Sequence, residues 1–579
     1  MVADPLAHEP TTAAGQAPTS GQSLTSARRQ RLFWLALAIA VALGFGLRAS
    51  RPALVNPTVI HDDVRQHVFW VPRLHDPALF AGDWIADYYQ SQAPSGYLAV
   101  YWLVTLAVDA VLASKLLPLV LTVALAVAAF WLGWALWRRA DAATLGAVLL
   151  AWSVWHYDDV ASATPRAYAL PLLAVQLAAL ASRRWWLALA VLPVQALLYP
   201  LGCAVPVVTI GLWTIWQTGG LRAAIRPLMQ LGAVTLVALA LVGLEQLDTA
   251  RYGPTVSAET ARTMSEFQQG GRAAYFVSDP YRFWIESSRS GFALGPKDTT
   301  FESLPALTLP FVLAALLGGW VLLGRLGWRV PPAVPARGAL LLVLLLASLL
   351  LFVAAHVLLF ALYLPARHVQ FSLPLVWALA GGLCWALLGE QVAAWCRAWM
   401  QPYGRIGLPA NLGLTGAEAF SLAGIALLAL HPPPPGDFYV TGRQPAIYAY
   451  LRETPPGTLV GALPADSNIL PILGQRGILT TYEHALPYHP GYYEPLRERT
   501  EAFRAAYYAP TLAPLAEILA EQGVGVVIAD TDALERRRRA ERESPPALEG
   551  ILDRCGVLRE RELVVIPAAC IRAAAEVGR

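Results

Sequence analysis

The chain contains 579 residues, of which 56% are hydrophobic and only 14% are charged, and its mean hydropathy is +0.47. This composition excludes an ordinary soluble globular protein and indicates a polytopic membrane protein. The formal net charge of +3 gives no sign of a basic surface for nucleic acid. We therefore expect membrane lipids, and no nucleic acid, among the partners of this protein.

Residues 1–27 are rich in Ala, Thr, Ser and Gln and lack hydrophobic periodicity, which predicts a disordered cytoplasmic tail rather than a signal peptide. Apolar segments follow, and each is expected to be helical because a lipid-exposed backbone must satisfy its own hydrogen bonds. They lie approximately at residues 32–47, 97–113, 116–137, 144–155, 166–181, 185–198, 201–216, 228–244, 305–323, 338–364, 369–388 and 412–430.

Short arginine-rich loops set the orientation of these segments, because cytoplasmic loops carry an excess of basic residues. Pairing the segments as hairpins places loops 48–96 and 245–304, and the tail after residue 430, outside the cell. Arg138 and Arg139 lie inside only if residues 97–137 cross the membrane once. We interpret residues 97–113 as re-entrant or interfacial, which leaves eleven spans. In the alternative both segments cross, and Arg138 and Arg139 face outward.

The composition changes near residue 431, where four prolines at 432–435 make a stiff break before ordinary polar sequence. Residues 458–463, 477–481 and 525–530 resemble buried strands, and 494–508 and 512–522 resemble helices. We therefore predict an all-α membrane domain over 28–430, followed by a small extracytoplasmic α/β domain over 431–579. Cys555 and Cys570 in that domain are a candidate disulfide.

The first exterior loop begins with a pair of carboxylates, Asp62 and Asp63, which follow His61 directly after the first span. Residues 61–70 predict an amphipathic helix that lies on the membrane. Either acid has the chemistry of a general base toward an acceptor hydroxyl. The alternative is that one of them caps a helix, although a cap hardly accounts for both. Four aromatic residues of this loop are expected at the membrane interface: Trp70, Trp84, Tyr88 and Tyr89.

Two later apolar segments carry cations at their exterior ends. Thr164 followed by Pro165 predicts a capped helix start, with Arg166 in the first turn, where the helix dipole disfavours a cation. This broken rule suggests a phosphate site, built from backbone N–H groups and a guanidinium fork. Arg367 and His368 repeat the pattern at another helix end. The alternative is that Arg166 reaches toward lipid head groups.

The second exterior loop also contains His156, Asp158 and Asp159. Together with the acids of the first loop they form a donor set that suits a divalent cation such as Mg²⁺ or Mn²⁺, unless the two Asp-Asp pairs occur by chance. The sequence contains no P-loop, GxGxxG or HExxH motif. The sequence therefore lacks the usual motifs of ATP-driven transporters and of dinucleotide-dependent enzymes.

The layout resembles the GT-C superfamily of integral-membrane glycosyltransferases, and in particular a bacterial set of GT-C-like multipass proteins. Four features carry the architectural part: an acidic motif after the first span, a proline-containing entry at residues 92–97, many spans, and an exterior C-terminal domain. The residue-level part consists of short motifs: TPRAY at 164–168, YP at 199–200, LPARH at 364–368, PADS at 464–467 and GQR at 474–476.

This resemblance implies transfer of a sugar from a polyprenyl-phosphate-linked donor to a glycan, lipid or protein acceptor outside the bacterial cytoplasmic membrane. It implies that Asp62 or Asp63 is the base, and that Arg166, Arg367 and His368 hold the donor phosphate. The chain departs from the family in its first motif, since the family commonly has Asp-Glu or a lone acid there. Fold resemblance does not by itself establish activity.

The alternative function is a non-catalytic GT-C-like scaffold, or a transporter of lipid-linked or anionic solutes. Transport favours charged residues within membrane spans. The main charged residues in or near apolar segments are Asp109 and Glu390. Because such residues are few, the sequence favours the enzyme.

Overall fold

The computed structural model describes residues 21–156, 158–292, 336–400, 415–436, 438–540 and 545–577. The chain forms two compact units. The first, here called the helical unit, comprises Met1–Arg51, Leu117–Val242 and Ser278–Gly436; the second, here called the mixed unit, comprises Pro52–Leu116, Gly243–Val277 and Asp437–Arg579. Residues 1–20 of the predicted tail and the predicted apolar segment 305–323 lie outside the described residues.

Within the described ranges, six helices are long and apolar enough to cross a membrane: Ala27–Ala49, Ala110–Trp137, Pro200–Thr218, Leu221–Tyr252, Ala339–Val357 and Pro365–Trp399. Four shorter apolar helices of the helical unit are Ala140–Val154, Pro165–Ala181, Trp185–Leu198 and Gly416–Leu430. The chain is thus a multi-pass membrane protein. The count of eleven spans stays a prediction, because at 1.5 Å per residue the shorter helices fall below the ~30 Å thickness of a hydrocarbon core.

Two helices of the helical unit approach each other closely at a pair of glycines. Helix Ala140–Val154 contacts helix Ser372–Met400, and Gly146 and Gly382 lie at this contact. A Cβ atom on Gly382 would lie 2.4 Å from the backbone nitrogen of Gly146. Glycine is therefore required here by the close approach of two backbones, as is common where membrane helices pack.

The described residues of the mixed unit form seven strands: β1 (Val59–His61), β2 (Tyr439–Thr441), β3 (Leu459–Gly461), β4 (Gly477–Ile478), β5 (Val524–Asp530), β6 (Leu558–Glu560) and β7 (Leu563–Pro567). Five of them form a sheet in the order β4-β3-β5-β7-β6, in which β3 is parallel to both β4 and β5. Strand β7 is antiparallel to β5 and to β6. The strands predicted for the α/β domain are confirmed as β3, β4 and β5, whereas β6 and β7 were not predicted.

Helices surround this sheet and fill the loops of the mixed unit. Those of the tail are Pro445–Glu453, Pro464–Ser467, Leu470–Gly474, Pro490–Tyr507, Ala513–Glu521, Thr531–Ala540, Leu552–Cys555 and Ala568–Val577. Those of the loops include Val64–His67, Trp84–Ser91, Ser95–Val104 and Ala258–Thr263. A disulfide joins Cys555 to Cys570, whose Cα atoms are 5.7 Å apart.

Strand pairing joins the first loop to the tail within the mixed unit. Strand β1 pairs antiparallel with β2, so the chain directly before Asp62 is extended. The amphipathic helix predicted over residues 61–70 is therefore wrong: only Val64–His67 is α-helical, and a 3₁₀ turn follows at Val71–Leu74. The sequence pattern missed β1 because a three-residue strand whose partner lies far along the chain has no local signature.

The aromatic residues of the first loop pack inside the mixed unit. Trp70, Tyr88 and Tyr89 are at most 4% exposed, and only Trp84 is substantially exposed, at 37%. The ring of Tyr88 stacks on that of Tyr492 with their centroids 3.6 Å apart. The prediction that these residues lie at the membrane interface is therefore wrong for all except Trp84, because they form the core between loop and tail.

The segment predicted to be re-entrant or interfacial contains one short helix, Ser95–Val104. Ten residues extend about 15 Å, half of what a crossing needs. Tyr97 and Tyr101 are buried, whereas Trp102 and Leu103 are exposed. The helix is thus too short to span a membrane and has one apolar face open.

Candidate functional site

Three apolar helices of the helical unit begin in the same way. Each starts with a proline at the first position of a 3₁₀ turn: Pro165–Tyr168, Pro200–Cys203 and Pro365–His368. Proline suits this position because its missing N–H would be unpaired there in any case. The turns Pro200–Cys203 and Pro365–His368 contact each other. Helix N-termini carry partial positive charge and unpaired N–H groups, so these starts favour an anion.

The predicted helix start at Pro165 is correct, but its predicted cap is not. Thr164 has the extended backbone of an N-cap, yet its side chain makes no capping hydrogen bond. Its hydroxyl instead bonds the hydroxyl of Ser162 at 2.7 Å. Ala163 and Tyr363, which come just before two of the three starts, hold left-handed backbones with φ of 51° and 60°. Such strain in residues other than glycine tends to concentrate at functional sites.

A chain of polar contacts joins two of these helix starts. Arg166 Nε lies 3.5 Å from Asp159 Oδ1, and Gln370 donates its amide to the same carboxylate oxygen. Gln370 also accepts a hydrogen bond from Arg367 Nη1. Two guanidinium groups that are about 200 residues apart in sequence are thereby linked through one carboxylate and one amide. In the described part of the chain, no carboxylate lies within 4 Å of Arg367.

His368 was predicted to bind the same phosphate, and its side chain is 5% exposed. Its Nε2 lies 3.0 Å from the carbonyl oxygen of Leu362, which can only accept, so Nε2 carries the proton. The other nitrogen, Nδ1, is buried and has no partner among the residues the structure describes. A neutral ring in this state presents a lone pair at Nδ1, which does not suit an anion. The phosphate role of Arg166 and Arg367 stays a prediction.

The metal site predicted at His156, Asp158 and Asp159 receives no support from the contacts of its members. His156 Nδ1 bonds the carbonyl of Trp152 at 2.9 Å, and burial lowers the pKa of this histidine. Asp159 already accepts from Gln370 and pairs with Arg166. Among the described residues, no group of three or more His, Cys, Asp or Glu side chains is arranged to hold a metal ion. The side chain of Asp158 is not among them, and the metal site stays a prediction.

The paired acids of the first loop lie in the mixed unit, at the end of β1. The backbone N–H of Asp62 donates to the carbonyl of Phe438 at 2.8 Å. Arg65 Nη2 donates to Asp62 Oδ1, while the other carboxylate oxygen has no hydrogen-bond partner within the described ranges. The Asp62 side chain is 45% exposed. This carboxylate is thus held in place on one side and open on the other.

Asp63 occupies the N-cap position of helix Val64–His67, but its side chain makes no capping hydrogen bond. The cap explanation is therefore wrong for Asp63. Its backbone N–H donates to His61 Nδ1 at 3.1 Å, which fixes the turn between the strand and the helix. For Asp62 the structure shows both an orienting partner and an open oxygen.

A buried carboxylate of the tail, Glu483, holds this arrangement together and was not found by sequence reasoning. Its side chain is 7% exposed and pairs with Arg65 Nη2 at 2.9 Å and with Arg272 Nη2 at 2.6 Å. Gln66 donates to the same carboxylate. The first loop, loop 245–304 and the tail therefore meet on Glu483, and Arg65 is fixed between Glu483 and Asp62. No local motif marks Glu483, because its partners come from distant segments.

These features define the class of protein: a multi-pass membrane protein with an α/β unit, an arginine pair at helix starts and an oriented carboxylate. The chain is similar to the crystal structure of the Archaeoglobus fulgidus oligosaccharyltransferase tethered with an acceptor peptide containing the NVT sequon, with a TM-score of 0.48 and 13% identity over 87% of this chain and 69% of that one. It is also similar to the oligosaccharyltransferase AglB from Archaeoglobus fulgidus in complex with an inhibitory peptide and a dolichol-phosphate, with a TM-score of 0.49 and 11% identity over 91% and 72%.

No protein-family model matches the chain, and no curated protein matches it. Because both TM-scores are below 0.5, no residue role is transferred from these structures to this chain.

Proposed function

We propose that this protein is a membrane glycosyltransferase that moves a sugar from a polyprenyl-phosphate-linked donor to an acceptor on the outer face of the cytoplasmic membrane. The observation that carries the proposal is the linkage of Arg166 and Arg367 at the starts of two apolar helices. A lipid-linked donor has an apolar chain and an anionic phosphate. A cationic cluster at the end of apolar helices matches both parts.

The reaction requires compensation of charge on the departing lipid phosphate. As the bond between the anomeric carbon and the phosphate oxygen breaks, negative charge develops on that oxygen. Two guanidinium groups, one held by an ion pair and the other by a hydrogen bond, stabilise this charge without reorganising at the moment of reaction. Gln370 and Asp159 supply that fixation, because each contacts a different arginine and they contact each other.

The reaction also requires a base for the acceptor. In the proposed step the acceptor hydroxyl oxygen forms a bond to the anomeric carbon and its proton passes to a carboxylate. We assign this role to Asp62, whose Oδ1 is held by Arg65 and whose other oxygen is open. The mixed unit, with its C-terminal α/β domain, belongs outside the cytoplasm in this proposal, as does its disulfide.

The transporter alternative is less well supported by the charged residues near spans. Asp109 accepts from the backbone N–H of Leu112 at 2.9 Å, so it begins the helix that follows. Glu390 pairs with Arg139 and is half-exposed. Neither is an unpaired charge in the middle of a helix, where a transport pathway would place one.

The experiment is complementation of a strain that lacks the gene, with glycolipids and envelope glycans profiled by mass spectrometry. Asp62→Asn should abolish the glycan product while leaving expression and melting nearly unchanged, because Asp62 is half-exposed. Asp63→Asn should retain it. Asp553→Asn is the matched control, since this aspartate is 99% exposed on the same unit. Full activity of Asp62→Asn would remove the assigned base.

A further inference from the structure

Tyr199 lies beside the arginine cluster and was marked in the sequence only as part of a short motif. It precedes the 3₁₀ turn Pro200–Cys203, with an extended backbone at φ −153° and ψ 85°. Its side chain is only 7% exposed, and its ring packs edge-to-face on Phe371 with centroids 5.9 Å apart. The ring is therefore fixed in place by packing, which also fixes the hydroxyl.

The turn that follows Tyr199, Pro200–Cys203, contacts the turn Pro365–His368, which contains Arg367. The groups that act electrostatically on the Tyr199 hydroxyl are Arg367, Tyr363, Arg166 and Asp159. Among the residues that the structure describes, the hydroxyl has no hydrogen-bond partner. The hydroxyl oxygen of this otherwise buried side chain is not fully enclosed, so a ligand can reach it. Because two guanidinium groups act at the same place, a ligand that accepts a hydrogen bond from the hydroxyl should be an anion.

We propose that the Tyr199 hydroxyl is a third donor to the phosphate group that Arg166 and Arg367 hold, which makes Tyr199 a binding residue for a lipid phosphate monoester. This inference rests on the proposed function. The three side chains come from the three proline-initiated helix starts, whose N-termini add partial positive charge at the same place. The neutral donor adds a directed hydrogen bond without adding a third cation.

Tyr199→Phe removes the hydroxyl and keeps the ring that packs on Phe371. The control is Tyr168→Phe, since the Tyr168 hydroxyl is buried and makes no hydrogen bond in the described part of the chain, and no charged group acts on it. The full chain in nanodiscs of phosphatidylcholine is titrated with farnesyl phosphate, and with farnesol as the uncharged probe. Tyr199→Phe should weaken farnesyl phosphate binding by roughly ten- to a hundredfold, as expected for a hydrogen bond to a charged group. Tyr168→Phe should bind as the wild type does, and farnesol binding should be equal in all three.

Arg367→Ala separates failure of this inference from failure of the proposed function. If Arg367→Ala weakens farnesyl phosphate binding and Tyr199→Phe does not, the assignment of Tyr199 is overturned and the donor site stands. If neither substitution weakens farnesyl phosphate binding, the proposed donor site is overturned as well. Nanodiscs that contain phosphatidylglycerol test the source of the phosphate. Their head groups should not displace farnesyl phosphate, and displacement that depends on Tyr199 would show a head-group site instead.

Discussion

Replacing Glu483 should destabilise the mixed unit more than any other single charge removal in its loops. The Glu483 carboxylate neutralises Arg65 and Arg272, whose side chains are 12% and 21% exposed. Burial raises the pKa of Glu483, and the two arginines oppose that shift. Glu483→Gln keeps the volume and removes the charge, so two guanidinium groups remain largely buried with less compensation.

The expected cost follows from the geometry of the pair. Removing one partner of a buried ion pair costs about 3–5 kcal/mol. Because the amide oxygen of glutamine still accepts one hydrogen bond, we expect the lower end, about 3 kcal/mol. For a unit of this size each kcal/mol lowers the melting temperature by about 2–4 °C, which gives a shift of roughly 6–12 °C.

The assay is hydrogen–deuterium exchange combined with thermal melting in detergent. Peptides that cover residues 59–70, 266–275 and 481–489 should exchange faster in Glu483→Gln than in the wild type, since these segments meet on Glu483. The control Asp553→Asn, whose carboxylate is fully solvated, should stay within about 0.5 kcal/mol of the wild type. Unchanged exchange and a melting shift below about 1 °C would refute the view that Glu483 joins the three segments.

Three further outcomes follow from buried contacts. Burial lowers the pKa of His484 from 6.5 to about 3, so the folded state keeps this ring neutral, and folding stability decreases as the pH falls below 6.5 toward 3. Between pH 7.5 and 5 the free energy of unfolding should fall by about 2 kcal/mol. Urea titrations of His484→Gln should lack this decrease. Gly382→Ala should lower the melting temperature of the helical unit, because the new Cβ would meet the backbone of Gly146. Gly232→Ala should leave the melting temperature unchanged, because a Cβ at residue 232 has no neighbour within 4 Å. Reduction of the disulfide between Cys555 and Cys570 should destabilise the mixed unit by about 3 kcal/mol, as expected for a closed loop of about 15 residues, and equal melting curves with and without reductant would contradict this.

The protonation state behind the His484 prediction is fixed by its neighbours. Nε2 lies 2.8 Å from the carbonyl oxygen of Arg65, so it donates, and Nδ1 accepts from the hydroxyl of Thr481 at 2.9 Å. The charged groups nearby are Arg65 and Arg272, and both disfavour a proton on the ring, as does His67. A protonated His484 would therefore lose one hydrogen bond and face two like charges.

Elements with a strong local signal could be predicted from the sequence. Apolar helices such as Trp185–Leu198 coincide with their predicted bounds, because membrane helices are set by hydrophobic length. Strand β5 was predicted from a run of branched apolar residues between polar ones, and the start at Pro165 from its threonine and proline. In each case the information lies within one turn or one strand of the chain.

Features that depend on distant partners could not be predicted. Strand β1 exists because it pairs with β2, which lies almost 400 residues later. The aromatic residues Tyr88 and Tyr89 have the composition of an interfacial belt, but tail residues such as Tyr492 bury them. Gln370 and Glu483 carry the positioning contacts of the two candidate sites, and neither belongs to a recognisable motif. The sequence marks Arg166 because a cation in the first turn of a helix is unfavourable. Gln370 and Glu483 occupy positions that no local rule disfavours, so the sequence does not mark them.

In the proposed function this chain transfers a sugar from a lipid phosphate carrier. The test is to measure the amount of sugar-loaded polyprenyl phosphate in membranes of a deletion strain, complemented with wild-type protein or with Asp62→Asn. In the deletion strain the loaded carrier should accumulate and one glycan should disappear, and only the wild type should restore both. Identical carrier and glycan profiles in all strains would contradict the proposed function.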